Sequence, residues 1–592
     1  MNLPRSGEEA LLGTGDTDHE NLQPERSGRF PIAWSRLAFI ATVANLGAGW
    51  IFILDRTLCV PLFINHLLLL YAGSLLFGFD FGATSSLLTS ISGYRTNFDD
   101  DKYTYLALVA NSDGLTGLIA AGSSIGATVT FIFLLFLGNK IPKNQEILLS
   151  ALLYFFGALL ESLSGIVPWR NANGLIFLIT GRLLYGAGIA LTFHSVPEYI
   201  SEISPKIGRG SICSVTEAMV VIGICLGFLV GYLNDTEDGF IATYRVGYGI
   251  ALVMGGLAMF LPKSPLWLVK NGADDDEILD SLRHTQPTAS LELVADLKRV
   301  NDAGIALKTQ WKNKLITRLE GVLNKGCGTQ ILHMLPSEVK VLLMSRTLRR
   351  CLQLSLLLVF LQQFSGQGAI LYYSGKIFGE ICPNSPSDCI IGLGIVKLFF
   401  VVIMVFTAEL FGRRKFLIGG ATFMTIGLIL LCIGLSKKFY TLALVGIYLS
   451  AAANEVSLAT LLWVVLCEIF PQFVRSAAIS IAVATFFAWS SIVVLILPYM
   501  VEKVDLLAVF IMYTVTGAIS VALFFLFVPE TRGVDIEISY MLVNRRMEKT
   551  LKCCGVDVNR SHPEELIPEM LDESDNDHTN SSSREVNTYN SI

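Results

Sequence analysis

The segments EISPKIGR at 202–209 and EIFPQFVR at 468–475 decide the fold of this chain, because both follow the pattern E-I-x-P-x-x-x-R. Their two glutamates are 266 residues apart. Each segment follows the fourth long apolar stretch of its own half of the sequence. A repeat at matching positions predicts two parallel halves built on the same design.

The composition requires a lipid environment. Of the 592 residues, 52% are hydrophobic and only 16% are charged. Soluble domains carry about 25% charged residues, so this excess of apolar surface needs lipid as its solvent. A helix needs about 20 apolar residues to cross a bilayer, and windowed hydropathy predicts an integral, multi-pass protein. The twelve predicted spans are 60–90, 114–137, 146–166, 174–197, 211–233, 243–262, 350–378, 389–409, 414–434, 440–467, 476–500 and 505–528.

These spans divide the chain into five regions. They are an N-terminal tail, six spans, a polar linker, six more spans and an acidic tail, at 1–59, 60–262, 263–349, 350–528 and 529–592. We interpret the apolar stretch Leu37 to Leu54 as an interfacial helix or a segment outside the core fold, with an additional span as the alternative. The first 30 residues lack the pattern of a cleavable signal peptide. Seven acidic residues between Glu564 and Asp577 predict a solvated, disordered tail.

Lysine and arginine in the short loops predict the orientation, because cytoplasmic loops carry an excess of both. The basic residues after spans two, four, eight and ten are Lys140, Lys143, Lys206, Arg209, Arg413, Arg414, Lys415 and Arg475. The alternate loops are acidic, for example at Asp99–Asp101. We therefore predict that both termini and the linker 263–349 are cytoplasmic. The sequence leaves open whether the membrane is the plasma membrane or an internal one.

Several classes of function are excluded. The net charge of −6 offers no basic surface to a nucleic acid. The eleven cysteines form no CxxC pair or Cys/His cluster, so we predict no metal site and no cofactor. We find no nucleophile with its base and no phosphate loop, so the chain is not predicted to be an enzyme. Cys382 and Cys389 flank a polar loop, where a disulfide and two free thiols are both open.

Further motifs lie in a fixed order along the chain. They are Gly181-Arg182, PEYI at 197–200, PKSPLWL at 262–268, QQFSG at 362–366 with Tyr372-Tyr373, Gly412-Arg413-Arg414, and PETRG at 529–533. In this order they resemble the motifs of the sugar porters of the major facilitator superfamily, across about residues 60–540. The resemblance implies an all-α membrane protein with the major facilitator fold. It has twelve transmembrane helices in two six-helix halves and a cytoplasmic helical linker.

The resemblance also implies a coupling site for protons. Asp80 lies within a predicted span, in the sequence GFDFG, and Arg182 lies near the start of the fourth span. Charged side chains inside a membrane are costly and are usually functional. In proton-coupled sugar porters an aspartate at the first position accepts the proton and pairs with an arginine at the second. The alternative is a structural ion pair that does not titrate.

A sugar site needs hydrogen-bonding groups for the hydroxyls and an aromatic face for the C–H groups of the ring. The resemblance implies that Gln362 and Gln363 contact sugar, that Trp463 stacks on the ring, and that Tyr372 and Tyr373 form the outer gate. For Trp463 the alternative is core packing. Gln367 precedes Gly368, which takes the place of a family asparagine, and Phe486-Phe487 takes that of an asparagine-tryptophan pair. These departures leave the identity of the sugar open.

Two more charged residues lie within predicted spans. Glu217 takes the place of a family glutamine in span five, and Lys397 lies in span eight. Spans five and eight face each other across the cavity of this fold, so we expect an ion pair between Glu217 and Lys397 that bridges the halves. The pair either binds sugar hydroxyls or forms a second proton-sensitive switch. The alternative is that each contacts cavity water independently.

A set of charged residues next to the repeated motif is implied to form the cytoplasmic gate. Its members are Glu202, Arg209, Glu409, Arg413, Arg414, Glu468 and Arg475. We expect them to form ion pairs between helices that rearrange as the carrier changes conformation.

The predicted function is transport of a monosaccharide (a hexose such as glucose, a pentose or a polyol) by alternating access, with a proton as co-substrate. The first alternative is a facilitative hexose or polyol uniporter, in which Asp80 is structural. The second is a transporter-like sugar sensor that signals through its tail. The sequence leaves the exact sugar, the direction of flux and the oligomeric state open.

Overall fold

The computed structural model describes residues 60–94, 104–137, 141–165, 172–203, 209–234, 239–285, 290–299, 301–302, 305–306, 309, 336–383, 385–407, 412–531 and 536–553. The apolar stretch Leu37 to Leu54 and the acidic residues between Glu564 and Asp577 lie outside these residues.

Among the described residues, the first half of the chain forms six long helices and one short helix. They are α1 (Val60–Tyr94), α2 (Thr104–Ala110), α3 (Asp113–Leu137), α4 (Lys143–Leu163), α5 (Ala172–Ile203), α6 (Arg209–Leu233) and α7 (Gly239–Ala258). Within this half α4 packs on α5 and α7, α3 packs on α5, and α1 packs on α6. The short linker helices α8 (Pro265–Lys270) and α9 (Asp275–Thr285) follow.

The second half repeats this plan after a short helix, α10 (Ser337–Met344). Its helices are α11 (Arg346–Gln363), α12 (Gln367–Tyr372), α13 (Ser374–Ile381), α14 (Pro386–Thr407), α15 (Arg413–Ser436), α16 (Tyr440–Asn454), α17 (Thr460–Glu468), α18 (Gln472–Val504) and α19 (Leu506–Phe527). A π-helical turn, Glu455–Ala459, joins α16 to α17, so that they form one interrupted span. A final helix, α20 (Ile536–Cys553), follows the last span.

Eleven spans among the described residues are long and apolar enough to cross a membrane. They lie at the predicted positions, and the remaining predicted span, 60–90, lies within α1. The fold class is therefore the predicted one. The repeated motif also occupies matching places: Glu202 lies one residue before the end of α5, and Glu468 is the last residue of α17. We call this end of the bundle, where Lys143, Arg413 and Arg475 lie, the basic end.

Small residues bring the helices of each half into close contact. A Cβ atom added to Gly82 of α1 would lie 2.5 Å from the Cα atom of Gly227 of α6. In the second half, a Cβ atom on Gly427 of α15 would lie 2.6 Å from the backbone nitrogen of Ser450 of α16. Membrane helices gain stability from such close backbone approach, because lipid supplies no hydrophobic force between them.

The two halves meet through side chains at several heights. Ser85 of α1 and Ser374 of α13 share a hydrogen bond of 2.5 Å. Ser124 of α3 and Ser490 of α18 share one of 3.3 Å nearer the middle of the bundle. These contacts are polar but uncharged, so they can break and re-form without leaving a buried charge.

The helix α20 was not predicted, because the sequence analysis treated 529–592 as one tail. It packs against α11, where Arg350 donates a hydrogen bond of 2.7 Å to Glu548 and another to Asn544. Val543 of α20 is fully buried. At its other edge Arg546 donates to the carbonyl groups of Leu526 and Phe525, at 3.1 and 2.8 Å. The first part of the tail is therefore part of the folded bundle.

The packing of α1 on α6 predicts the effect of added side-chain volume. We expect Gly82→Val to lower the free energy of unfolding by about 1–3 kcal/mol, because the branched side chain has to displace the backbone of α6. Thermal unfolding of the purified protein in detergent measures this. Gly256→Val in α7 is the matched control, since an added Cβ there meets nothing within 4 Å. Equal melting temperatures of the two variants would contradict the packing described.

Candidate functional site

Asp80 and Arg182 form a buried ion pair in the first half. Arg182 Nη1 donates to Asp80 Oδ1, and the side chains are 2% and 0% exposed. Ser123 of α3 donates to Asp80 Oδ2 at 2.7 Å and accepts from Arg182 Nη2 at 3.1 Å. The carbonyl of Ile119 accepts from Arg182 Nε at 3.2 Å. The pair that the resemblance implies is thus present, and α3 supplies further partners to both residues.

The glutamines of the QQFSG motif lie where the seventh span is interrupted. The helix α11 ends at Gln363, and α12 begins at Gln367 after Gly366, which has a φ of 81°. A Cβ atom at Gly366 would lie 2.7 Å from the ring of Tyr513, so both space and backbone conformation favour glycine there. The predicted span, 350–378, is present as one span over Arg346–Tyr372, and its helix is interrupted at this point.

The three predicted glutamines differ in how they are bonded. Gln367 Nε2 donates to Ser450 Oγ of α16 at 2.9 Å. Gln363 is 6% exposed. Gln362 Oε1 is buried and has no hydrogen-bond partner among the described residues. A buried acceptor without a donor costs about 1–3 kcal/mol, so this position suits a ligand that carries hydroxyl groups.

Aromatic rings fill the space between the halves. Phe193 of α5 lies 6.0 Å from Trp463 of α17 and 5.7 Å from Phe487 of α18, measured between ring centroids. Phe77 of α1 lies 5.8 Å from Phe487. Trp463 also contacts Phe486 at 5.2 Å. The predicted stacking residue is therefore within a cluster that both halves build.

The two predicted gate tyrosines are buried beside the same interface. Tyr372 packs on Phe81 of α1, with 4.6 Å between ring centroids. Tyr373 donates a hydrogen bond of 3.2 Å to the carbonyl of Val494 in α18. A cavity of about 190 Å³ lies next to Tyr373, at the end of the bundle opposite the basic end, and Asp113 and Lys376 are also in its wall.

The expected direct ion pair between Glu217 and Lys397 is wrong. Lys397 Nζ instead pairs with Glu455 Oε1, and the two side chains are 3% and 1% exposed. Both partners belong to the second half, where the π-helical turn begins at Glu455. Glu217 of α6 lies within electrostatic range of both. The three residues form a charge cluster, Glu217–Lys397–Glu455, with two carboxylates and one ammonium group.

Glu455 was missed in the sequence, although it carried the signal that marked Asp80: an acidic residue inside an apolar run. Its Oε2 atom is buried and has no hydrogen-bond partner among the described residues, and the same holds for Oδ1 of the neighbouring Asn454. These free acceptors, with Gln362, lie on the helices that carry the other predicted site residues.

Two of the predicted gate residues, Arg413 and Glu468, form an ion pair in the second half. Arg413 of α15 donates to Glu468 of α17 from Nη2 at 3.0 Å and from Nε at 3.2 Å. Thr531 donates to the other oxygen of Glu468 at 2.5 Å. Arg414 donates to the carbonyl of Val528 at 3.0 Å, and Arg475 donates to that of Phe470 at 3.1 Å. The side chains of Glu202 and Arg209, and all of Glu409, lie outside the described residues.

A second charged cluster lies at the basic end of the first half and was not predicted as a unit. Lys143 Nζ contacts Glu198 Oε2 at 2.9 Å and Glu146 Oε2 at 3.2 Å. His194 Nδ1 lies 3.0 Å from Glu146 Oε2. Ser476 of α18 donates to Glu198 Oε1. Glu198 of the PEYI motif therefore links the halves directly at the basic end.

Cys382 and Cys389 are both free thiols in the structure. They bracket the short loop between α13 and α14. Their side chains lie within hydrogen-bonding distance of each other, and the two alternatives of a disulfide and two free thiols stay open. Within the described residues, no three His, Cys, Asp or Glu side chains group so as to hold a metal ion.

Comparison with known proteins identifies the family. The sequence model of the family described as sugar (and other) transporter matches residues 67–542. The chain is 29% identical over 480 residues to D-xylose-proton symporter-like 3, chloroplastic, of Arabidopsis thaliana, with 78% of this chain and 79% of that protein covered. It is 25% identical over 491 residues to the glucose transporter GlcP of Staphylococcus epidermidis, with 81% and 97% covered.

The fold is similar to that of the xylose transporter XylE from E. coli in a partially occluded inward-open conformation. The TM-score is 0.64 at 22% identity, with 80% of this chain and 99% of that chain covered. The chain therefore belongs to the sugar (and other) transporter family. It is a multi-pass membrane transporter with the major facilitator fold, and it is not an enzyme.

The assignment of Lys397 to Glu455 predicts the outcome of charge exchange. We expect Lys397→Glu and Glu455→Lys each to lower the stability of the purified protein strongly, because breaking a buried ion pair costs about 3–5 kcal/mol. The double variant restores opposite charges and recovers most of the melting temperature. Exchanging Glu217 with Lys397 in the same way is the control and gives no such recovery. Recovery in the control alone would contradict the pairing.

Proposed function

We propose that this protein carries a monosaccharide across a membrane by alternating access and that the flux is coupled to a proton. The observation that carries the proposal is the ion pair of Asp80 and Arg182, which lies inside a membrane-spanning bundle with almost no exposed surface. The family relationship supports sugar transport. The relative most useful for coupling is the plant protein described as similar to a xylose-proton symporter.

The proposed sugar site lies between the halves. Gln362 and Gln363 bind hydroxyl groups, Gln367 extends this amide surface, and Trp463 packs on a C–H face of the ring. The free acceptor of Gln362 supports this assignment, since a sugar hydroxyl would satisfy it. Tyr372 and Tyr373 close the site at the end opposite the basic end.

The cluster Glu217–Lys397–Glu455 adds charge to this site. The free oxygen of Glu455 accepts hydrogen bonds from hydroxyl groups, and Lys397 holds the carboxylate in place. Charge-assisted hydrogen bonds are about twice as strong as neutral ones. The site therefore favours a substrate with several adjacent hydroxyl groups over an apolar solute, and this feature fits a hexose, a pentose or a polyol.

The proposed coupling follows from the effect of protonation on the ion pair of Asp80 and Arg182. Ionised Asp80 holds Arg182 and, through Ser123, the helix α3. Protonation of Asp80 removes the charge that binds the guanidinium group, so the contacts among α1, α3 and α5 weaken together. Since the proton binds one conformation better than the other, it shifts the population of the two states of the carrier.

The basic end is proposed to be the cytoplasmic end, because its loops carry the excess of lysine and arginine. The termini and the linker then lie in the cytoplasm. The gate at this end comprises Arg413 with Glu468, and Lys143 with Glu198. The hydrogen bond from Ser476 to Glu198 joins the halves there, so opening this end must break it.

Transport and coupling are tested together in proteoliposomes. With one proton per sugar, a gradient of one pH unit supports about tenfold accumulation, because one pH unit corresponds to 1.36 kcal/mol. We expect Asp80→Asn to abolish this accumulation while equilibrium exchange of labelled sugar continues. Asp276→Asn, at an exposed linker site, is the control and accumulates sugar normally.

Two results would contradict the proposal. If the protein exchanged no hexose, pentose or polyol, the proposal of sugar transport would be contradicted and a sugar sensor would be favoured. Exchange without accumulation in the unaltered protein would contradict proton coupling and favour a facilitative carrier.

A further inference from the structure

A second carboxyl group lies beside Arg182. Glu161 of α4 is fully buried, and its Oε1 atom is 3.8 Å from Arg182 Nη1, the atom that also donates to Asp80. Neither oxygen of Glu161 has a hydrogen-bond partner among the described residues. Glu161 was not predicted as a site residue, because it lies near the end of its span, where an acidic side chain can equally be an exposed one.

Close packing places Glu161 in this position. A Cβ atom added to Gly181 of α5 would lie 2.7 Å from Cγ of Glu161, and one added to Gly157 of α4 would lie 2.7 Å from the backbone nitrogen of Tyr185. The two helices therefore approach each other closely at Gly157 and Gly181, and Gly181 directly precedes Arg182. A larger residue at 181 would separate the carboxyl group from the guanidinium group.

The charges of this cluster do not balance. Two carboxylates, Asp80 and Glu161, share one guanidinium group, and all three side chains are at most 2% exposed. Among the described residues, the other titratable groups that face them are tyrosines from four elements, which add no positive charge. They are Tyr154, Tyr185, Tyr244 and Tyr372. An unpaired charge buried in this way is costly, so the cluster retains one proton on its two carboxyl groups.

The hydrogen bonds indicate which group holds that proton. Asp80 accepts from Arg182 and from Ser123, as an ionised carboxylate does. Glu161 accepts from no described donor. A neutral carboxyl group tolerates such surroundings far better than an ionised one. In this conformation the proton therefore resides on Glu161.

We propose that Glu161 carries the transported proton together with Asp80, as the second of two carboxyl groups that exchange one proton around Arg182. This inference rests on the proton coupling proposed above. In the exchange the O–H bond of Glu161 breaks and one forms on Asp80, while Arg182 transfers its ion pair from Asp80 to Glu161. During this internal exchange the net charge of the cluster stays constant, and it changes only when the transported proton enters or leaves.

The test uses the full-length protein in proteoliposomes and follows both labelled sugar and a pH-sensitive dye. Glu161→Gln keeps the size of the side chain and imitates its neutral form. We expect this variant to exchange sugar, to lose the roughly tenfold accumulation per pH unit, and to show no proton movement when sugar is added. Its exchange rate also loses the pH dependence of the unaltered protein. Glu161→Asp restores a titratable group and recovers proton movement in part.

The outcomes separate the two proposals. If the unaltered protein moves no proton with sugar, the coupling proposed for Asp80 fails, and the role of Glu161 fails with it. If the unaltered protein and Glu161→Gln move protons equally while Asp80→Asn does not, coupling stands and the role of Glu161 is overturned. If Glu161→Gln does not fold, the partial recovery in Glu161→Asp decides: an unaltered pH profile in that variant overturns the proposal.

Discussion

A guanidinium group with no exposed surface, inside a bundle that spans a membrane, constrains much of the first half of this protein. Arg182 cannot lose its charge, so the helices around it must supply acceptors. Asp80 comes from α1, Ser123 and the carbonyl of Ile119 come from α3, and Glu161 comes from α4. A Cβ atom at Gly122 would lie only 2.8 Å from Cβ of Arg182. Four helices are therefore positioned by the needs of one side chain.

The second half also contains a buried cation that needs an acceptor, and it supplies one in another way. Its buried cation, Lys397, is held by Glu455 at the one place where the tenth span departs from α-helical geometry. A π-helical turn widens the helix locally and is common at functional sites. The extra carboxylate of the cluster, Glu217, comes from the other half. A change in the distance between the halves thus alters the electrostatic environment of the proposed sugar site.

Much of the fold could be predicted from the sequence because a membrane demands long apolar runs, and the repeated motif fixed how they group. Which side chains meet was harder, because contact depends on how each helix is rotated about its axis. Glu217 and Lys397 lie on helices that do face each other, yet Lys397 is turned towards Glu455 within its own half. The helix α20 was missed for a different reason. Its polar face resembles a solvated tail, and the contacts of Arg350 with Glu548 and of Arg546 with Leu526 show how it packs on the bundle.

The interruption between Gln363 and Gln367 has a mechanical consequence. A continuous helix tilts as a rod, so movement at one end displaces the other by a comparable amount. The helix is interrupted at Phe364–Gly366, and a hydrogen bond from Thr516 to the carbonyl of Phe364 links this interruption to the last span. The helical segments on either side of this hydrogen bond can bend relative to each other. Gln367, Tyr372 and Tyr373 lie on one side of this break, and Gln362 and Gln363 lie on the other, so the proposed gate and part of the proposed sugar site can change their relative positions.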